Sequence, residues 1–346
     1  MIIDAALDGS SVCIIKYIVK HRKVHIQVSY FYITSHVDYT IEEADADSLR
    51  KKYPDHTFVL GARAGIPENI KAMIECYYGV LRPADFPDFP KLGWLHIPTA
   101  GIDAYTGSED IASGRIILTN SRGVYGEPIS AHILALFFSM QRQLHLLRDC
   151  QRQHRWAPQM PLKEFTGSTV LIIGAGDIGS TLARKCHTLG AYVIAIVNKL
   201  RDKPEYIDEL YGPDGIDQAL PRSDFIALCL PNTPDTKNIL SRERLDRIKP
   251  GAYLVNIGRG IAIDQNALYD ALASGRLAGA GIDVATPEPL PPDHPLWDLP
   301  NCVITCHSSG RSPGNKTRSF NIYKDNVDRY IKGEPLNNVI DIARGY

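Results

Sequence analysis

Four residues late in the chain have the types that proton and carboxylate chemistry needs. They are Arg259 between two glycines, Asp283, Glu288 between two prolines, and His307. Histidine suits the giving and taking of a proton because its unperturbed pKa lies near neutrality. A carboxylate beside it favours the charged ring and fixes its tautomer, and Glu288 is available for that role. The planar fork of an arginine pairs with a carboxylate and polarises an adjacent carbonyl. The three residues Arg259, Asp283 and His307 share a placement. Each follows or ends a short apolar run that reads as a buried strand: Tyr253–Ile257, Ala278–Val284 and Val303–Cys306. Three polar residues delivered to the carboxyl ends of successive strands, on one sheet edge, mark a candidate active site.

The element that would fix the origin of this site is Val170–Gly179, VLIIGAGDIG. Its first four residues are apolar and three of them are β-branched, as suits a strand buried on both faces of a parallel sheet. Gly174, Gly176 and Gly179 follow at G-x-G-x-x-G spacing, and Asp177–Leu189 reads as a helix. Such a turn sets helix N-terminal N–H groups against a pyrophosphate, so a dinucleotide docks here. A nicotinamide would then supply hydride chemistry beside Arg259 and His307. A second strand, Ala191–Val197, ends at Asn198-Lys199-Leu200-Arg201. NAD sites usually place a carboxylate near this point for the ribose hydroxyls. Here it is absent and two cations stand nearby, so NADP is expected in preference to NAD. Phe225–Leu230 is a further buried strand.

Upstream, strand and helix signals alternate. Met1–Leu7, Lys23–Tyr32, His56–Gly61, Cys76–Leu81, Trp94–Pro98 and Ile116–Asn120 read as strands. Ser11–His21, Ile41–Lys52 and Pro67–Glu75 read as helices. That alternation argues for a small parallel α/β unit. The run Trp94–Pro98 leads into Thr99-Ala100-Gly101-Ile102-Asp103, a small-residue turn that offers backbone N–H groups at a sheet edge. From Pro128 to about residue 152 the pattern reads as one helix of about 25 residues, nearly 40 Å long, a candidate connector or dimer-forming element.

A length of 346 residues suits two domains. A net charge of −1 leaves no field to draw nucleic acid or anionic membrane. No run of about 18 apolar residues suggests a membrane span, and the start has no secretory pattern. Seven scattered cysteines fit reduced thiols and a cytoplasmic protein. Cys302, Cys306 and His307 stand close together, but no second ligand pair has zinc-like spacing, so no metal is expected.

These motifs resemble the D-isomer-specific 2-hydroxyacid dehydrogenases. The resemblance runs from about residue 92 to 340. It rests on LIIGAGDIG, CLPNTPDT (229–236), LVNIGRGIAID (254–264), GAGIDV (279–284), PEP (287–289), HPLWDLPNCVITCHSSG (294–310) and NVDRYIKGEPLNNV (326–339). It implies an NAD(P)-dependent oxidoreductase interconverting a 2-oxo acid and a D-2-hydroxy acid, similar to glyoxylate and hydroxypyruvate reductases. Arg259, Glu288 and His307 match the catalytic set, with Arg259 on the substrate carboxylate. Ala100, Gly101 and Ile102 match the turn whose amides hold that carboxylate. The cofactor set implied comprises Gly174, Gly176, Asp177, Ile178, Gly179, Asn198, Lys199, Leu230, Pro231, Thr236, Ile257, Gly258 and Asp283. The fold implied is α/β, a Rossmann cofactor domain inserted into a flavodoxin-like substrate domain. Residues 1–126 would form the substrate domain, 127–306 the Rossmann domain, and 307–346 the return to the first. The long helix would help build a homodimer. Cys306 departs from the proline usual before the histidine. The alternative is a dinucleotide-sensing scaffold of the corepressor kind, which keeps the same residues.

Overall fold

The computed structural model describes residues 28–156 and 162–342. Short β-branched and aromatic runs make its strands. β1 (Tyr30–Ile33), β2 (Thr57–Leu60), β3 (Cys76–Tyr78), β4 (Trp94–Ile97) and β5 (Ile117–Asn120) form one sheet in the order β2-β1-β3-β4-β5. β6 (Thr169–Ile173), β7 (Tyr192–Ile196), β8 (Glu209–Tyr211), β9 (Phe225–Leu228), β10 (Ala252–Asn256), β11 (Leu277–Ile282) and β12 (Cys302–Ile304) form a second, in the order β12-β11-β10-β9-β6-β7-β8. All strand pairings in both sheets are parallel. The first order is flavodoxin-like. The second is the doubly wound Rossmann order with one strand added at an edge, and its direction reverses between β6 and β9.

Both faces of each sheet are covered, so alternate side chains serve different cores. In β6, Val170 and Ile172 join one cluster while Leu171 and Ile173 join the other. In β1, Tyr32 faces one side and Phe31 and Ile33 the opposite side. The helix Asn315–Lys332 follows the second sheet in sequence but packs on the first. Its Phe320, Tyr323 and Val327 share a cluster with Phe31, Phe58 and Trp94. Tyr323 and Tyr330 stack on the Trp94 ring at 5.5 and 5.3 Å.

Several expectations need correction. The single helix from Pro128 to about 152 is two helices, Gly126–Gln141 and Leu144–Arg152. Gln143 between them has φ 55, a left-handed conformation that ends the first helix. At 16 residues the first piece spans about 24 Å. It is a core helix: Ile133, Leu136, Phe137 and Met140 pack in the cluster that holds β6, β9 and β10 side chains. The helix expected at Pro67–Glu75 covers only Glu68–Lys71. The strand expected at Lys23–Tyr32 begins at Tyr30, with Lys23–Gln27 outside the described residues. The strand and helix expected at Met1–Leu7 and Ser11–His21 also lie outside them. β8 had no clear signal in the sequence.

Candidate active site

Parallel pairing sets the ends of β10, β11 and β12 side by side, with Asn256 opposite Ile282 and Ile282 opposite Ile304. Arg259, Asp283 and His307 therefore emerge along one carboxyl edge. The Arg259 turn is held by Asn256, which is buried. Its side chain accepts from Gly258 N at 3.1 Å and donates to Arg259 O at 3.0 Å. A Cβ on Gly258 would lie 2.6 Å from Leu230 O, so the glycine lets this turn stack on the one after β9. The Arg259 guanidinium reaches the other sheet's edge. A Cβ on Gly101 would collide with Arg259 Nη2, which places the arginine directly over the Ala100–Ile102 turn. Ile102 is anchored in the first unit's core, and Ala100 O accepts from Asn120 Nδ2 at 2.7 Å.

His307 Nδ1 lies 2.8 Å from Glu288 Oε2. The other carboxylate oxygen accepts from Ala285 N at 3.1 Å, so Glu288 is itself oriented. A carboxylate only accepts, so Nδ1 carries the hydrogen and Nε2 is turned outward for other work. The His307 side chain is about half exposed. Asp283 is buried and organises the loop that carries His307. Its carboxylate accepts from Thr305 Oγ1 at 2.6 Å, Ser308 N at 2.8 Å and Ser309 N at 3.1 Å. Its carbonyl accepts from His307 N at 2.6 Å. Cys306 and His307 both have positive φ, 51 and 54, a conformation this network must hold in place.

The glycine loop lies at the point where the strand order reverses. Gly174 has φ 101, and a Cβ there would lie 2.6 Å from Cys229 O. A Cβ on Gly179 would collide with Gly174 O, so this glycine lets the helix Asp177–Thr188 sit close on β6. Gly176 differs: a Cβ there meets nothing within 4 Å. Its bareness serves no contact among the described residues and leaves backbone open to an approaching group, as a pyrophosphate requires. These residues fit a dinucleotide.

The model of the D-isomer specific 2-hydroxyacid dehydrogenase NAD binding domain matches residues 134–309. A glyoxylate reductase from Korarchaeum cryptofilum is 33% identical over 264 residues, 74% of this chain and 78% of that protein. The chain belongs to the D-isomer specific 2-hydroxyacid dehydrogenase family. It is an NAD(P)-dependent 2-hydroxyacid dehydrogenase. A family structure from Aeromonas salmonicida is 30% identical with a TM-score of 0.78, covering 91% of this chain and 100% of that one. Another, from Xanthobacter autotrophicus in complex with NADPH and MES, is 26% identical with a TM-score of 0.77, covering 92% and 100%.

In this dehydrogenase the structure brings together Arg259 with Gly101, and His307 with Glu288 and the Asp283 loop. Other expected residues have internal duties. The Thr236 hydroxyl donates to Pro231 O at 2.8 Å and holds its own turn. The Asp177 carboxylate lies against Gly126, where a Cβ would come within 2.8 Å of its Oδ1. Asn198 and Lys199 are exposed beyond β7. Arg201 folds back on the glycine loop, donating to Ala175 O at 2.5 Å and Ser180 Oγ at 3.3 Å. Sequence reasoning did not single out Asn256, Asn232, Thr305, or Asp103 as a side chain. Asn232 Nδ2 donates to Asp103 Oδ1 at 3.0 Å, and Asp103 forms an ion pair with Arg259 at 2.7 Å. Burial would raise the Asp103 carboxyl, but the Arg259 and Asn232 contacts outweigh it and hold it below its ordinary value. A polar residue just past a small-residue turn was the only signal available for it.

Proposed function

We propose that the enzyme reduces a small 2-oxo acid to the D-2-hydroxy acid, and runs the reverse, with Arg259, Glu288 and His307 as its catalytic set. The observation that carries this is the His307–Glu288 contact at 2.8 Å on the sheet edge from which Arg259 reaches over Gly101. His307 Nε2 gives the substrate oxygen its proton in reduction and takes it back in oxidation. Glu288 accepts from Nδ1 and so holds the ring and its tautomer. Arg259 and the backbone N–H groups of Ala100–Ile102 hold the carboxylate. The cofactor, when bound, supplies or accepts the hydride at C2 of the acid. Gly174, Gly176, Asp177, Ile178 and Gly179 would cradle its pyrophosphate. Asn198 and Lys199 would meet the adenosine ribose. Leu230, Pro231, Thr236, Ile257, Gly258 and Asp283 would line its path to the nicotinamide.

NADP is the preferred cofactor in this reading. Lys199 and Arg201 are cations that follow β7 closely, no carboxylate follows it directly, and Arg201 is held at the glycine loop. The similar Xanthobacter protein holds NADPH. The chain divides into substrate domain 1–126, cofactor domain 127–306 and a return from 307. Two copies form a homodimer through the segment around Leu144–Arg152, where Leu144, Leu147, Trp156 and Leu162 are exposed. The described cysteines carry free thiols, which suits the cytoplasm. A sensing scaffold without turnover is not favoured, given the reductase relative.

The test is oxidation of NADPH and of NADH against glyoxylate, hydroxypyruvate, pyruvate, phenylpyruvate and branched 2-oxo acids. Turnover on one or more with higher kcat/KM for NADPH is expected. Tight dinucleotide binding with no turnover on any acid would return the scaffold reading.

A further inference from the structure

The Arg259 guanidinium has protein partners on three of its nitrogens. A guanidinium has five N–H donors in a rigid plane. Its Nε donates to Asp103 Oδ2 at 3.1 Å and its Nη2 to the same oxygen at 2.7 Å. Its Nη1 donates to Gly258 O at 2.8 Å. That leaves one N–H on each terminal nitrogen among the described contacts, and Nη2 sits over Gly101. The side edge of the fork is taken by protein, and the terminal nitrogens remain for a ligand.

Asp103 comes from the first unit, one residue past the Ala100–Ile102 turn. Arg259 and Asn232 come from the second, after β10 and β9. The Asp103 carboxylate therefore receives donors from two loops of the second unit: Arg259, and Asn232 at 3.0 Å on Oδ1. In return it fixes the plane of the guanidinium. Gly258 O holds only one corner of that plane. Without Asp103, rotation about the last side-chain bonds would carry the terminal nitrogens away from the turn.

We propose that Asp103 is a positioning residue for Arg259, setting the substrate-anchoring fork from the first unit so that the fork is complete only when the two units meet. This rests on the proposed role of Arg259 as holder of the substrate carboxylate. Asp103 touches neither the cofactor cradle nor the His307 pair. Its loss acts on substrate anchoring through Arg259, and its second contact, with Asn232, makes dinucleotide affinity the control to be read beside it.

The experiment is a double-mutant cycle, Asp103→Ala with Arg259→Ala, reading the Kd of oxamate for the NADPH-bound enzyme by quenching of nicotinamide fluorescence. Oxamate carries a carboxylate beside a carbonyl and needs no turnover. Asp103→Ala alone is expected to weaken oxamate at least about ten-fold, the scale of one charge-assisted hydrogen bond. NADPH affinity falls by less than oxamate affinity does. In the Arg259→Ala background the same substitution has no further effect. Asp103→Asn, which keeps an acceptor oxygen, restores most of the loss. An unchanged or tighter Kd in Asp103→Ala overturns the proposal, as does an equal loss in both backgrounds. Turnover is read separately. Its absence with every 2-oxo acid would refute the proposed function, while the oxamate cycle still decides the role of Asp103.

Discussion

At the scale of single residues, the chemistry divides between a proton pair and an anchoring fork, and the two should fail differently. His307→Asn removes the group that exchanges the proton. Kcat is expected to fall by about 10²–10⁴, with NADPH affinity kept and the ionisation lost from the pH profile of kcat/KM. A surviving ionisation would point to another acid. Arg259→Ala is expected to raise KM for the oxo acid and to lower kcat, again with cofactor affinity kept. A change in thermal stability alone would remove Arg259 from the site. The identities of these residues were legible because Gly-Arg-Gly, Pro-Glu-Pro and a strand-end histidine are conspicuous in sequence. Their partners were not. Asp103 lies 156 positions from Arg259, and nothing in local spacing announces that a loop of the first unit meets a loop of the second. Asn256 reads as an ordinary strand residue until its side chain is seen bridging the turn that follows.

At the scale of elements, the glycine cradle invites a test of packing. In Gly179→Ala the added methyl meets the Gly174 carbonyl, so the helix Asp177–Thr188 must lift from β6. Such overpacking typically costs about 1–3 kcal/mol. A lowered Tm together with a raised KM for NADPH is expected. A fall in Tm with cofactor KM unchanged would separate that helix from the binding of the dinucleotide. The strands were easy to read because parallel sheets bury both faces and leave continuous apolar runs. The helix break at Gln143 was hidden, because no glycine or proline marks it and a glutamine in left-handed backbone is an uncommon choice. The short helix Glu68–Lys71 shows the reverse error, in which a polar helical pattern continues beyond the point where packing supports it.

At the scale of the whole molecule, acid stability should carry the mark of a single histidine. His96 in β4 is fully buried, with Nδ1 2.8 Å from Thr119 Oγ1, and burial pushes its pKa down to about 3. The fold holds the ring neutral, while the unfolded chain takes up a proton near pH 6.5. Its contribution is therefore fully present above about pH 6.5 and declines by roughly 1.4 kcal/mol per pH unit as the pH falls towards 3. Urea unfolding at pH 7.5 and 5 should show a steeper loss for the native chain than for His96→Gln. Equal slopes would exonerate His96. The two-unit architecture was legible from two separate series of strands. The arrangement of those units across the cleft depended on side-chain pairs such as Asp103–Arg259, which no sequence period encodes.

The helix Asn315–Lys332 has a further consequence for how the protein is made. It supplies Phe320, Tyr323 and Val327 to the face of the first sheet that also holds Phe31, Phe58 and Trp94. That sheet precedes the helix in the chain, and until residue 315 is made its aromatic face has only the Ile41 and Leu49 side of its cover. The intervening cofactor unit can fold meanwhile. A chain interrupted before residue 315 would thus leave the Trp94 side of that aromatic surface open to water.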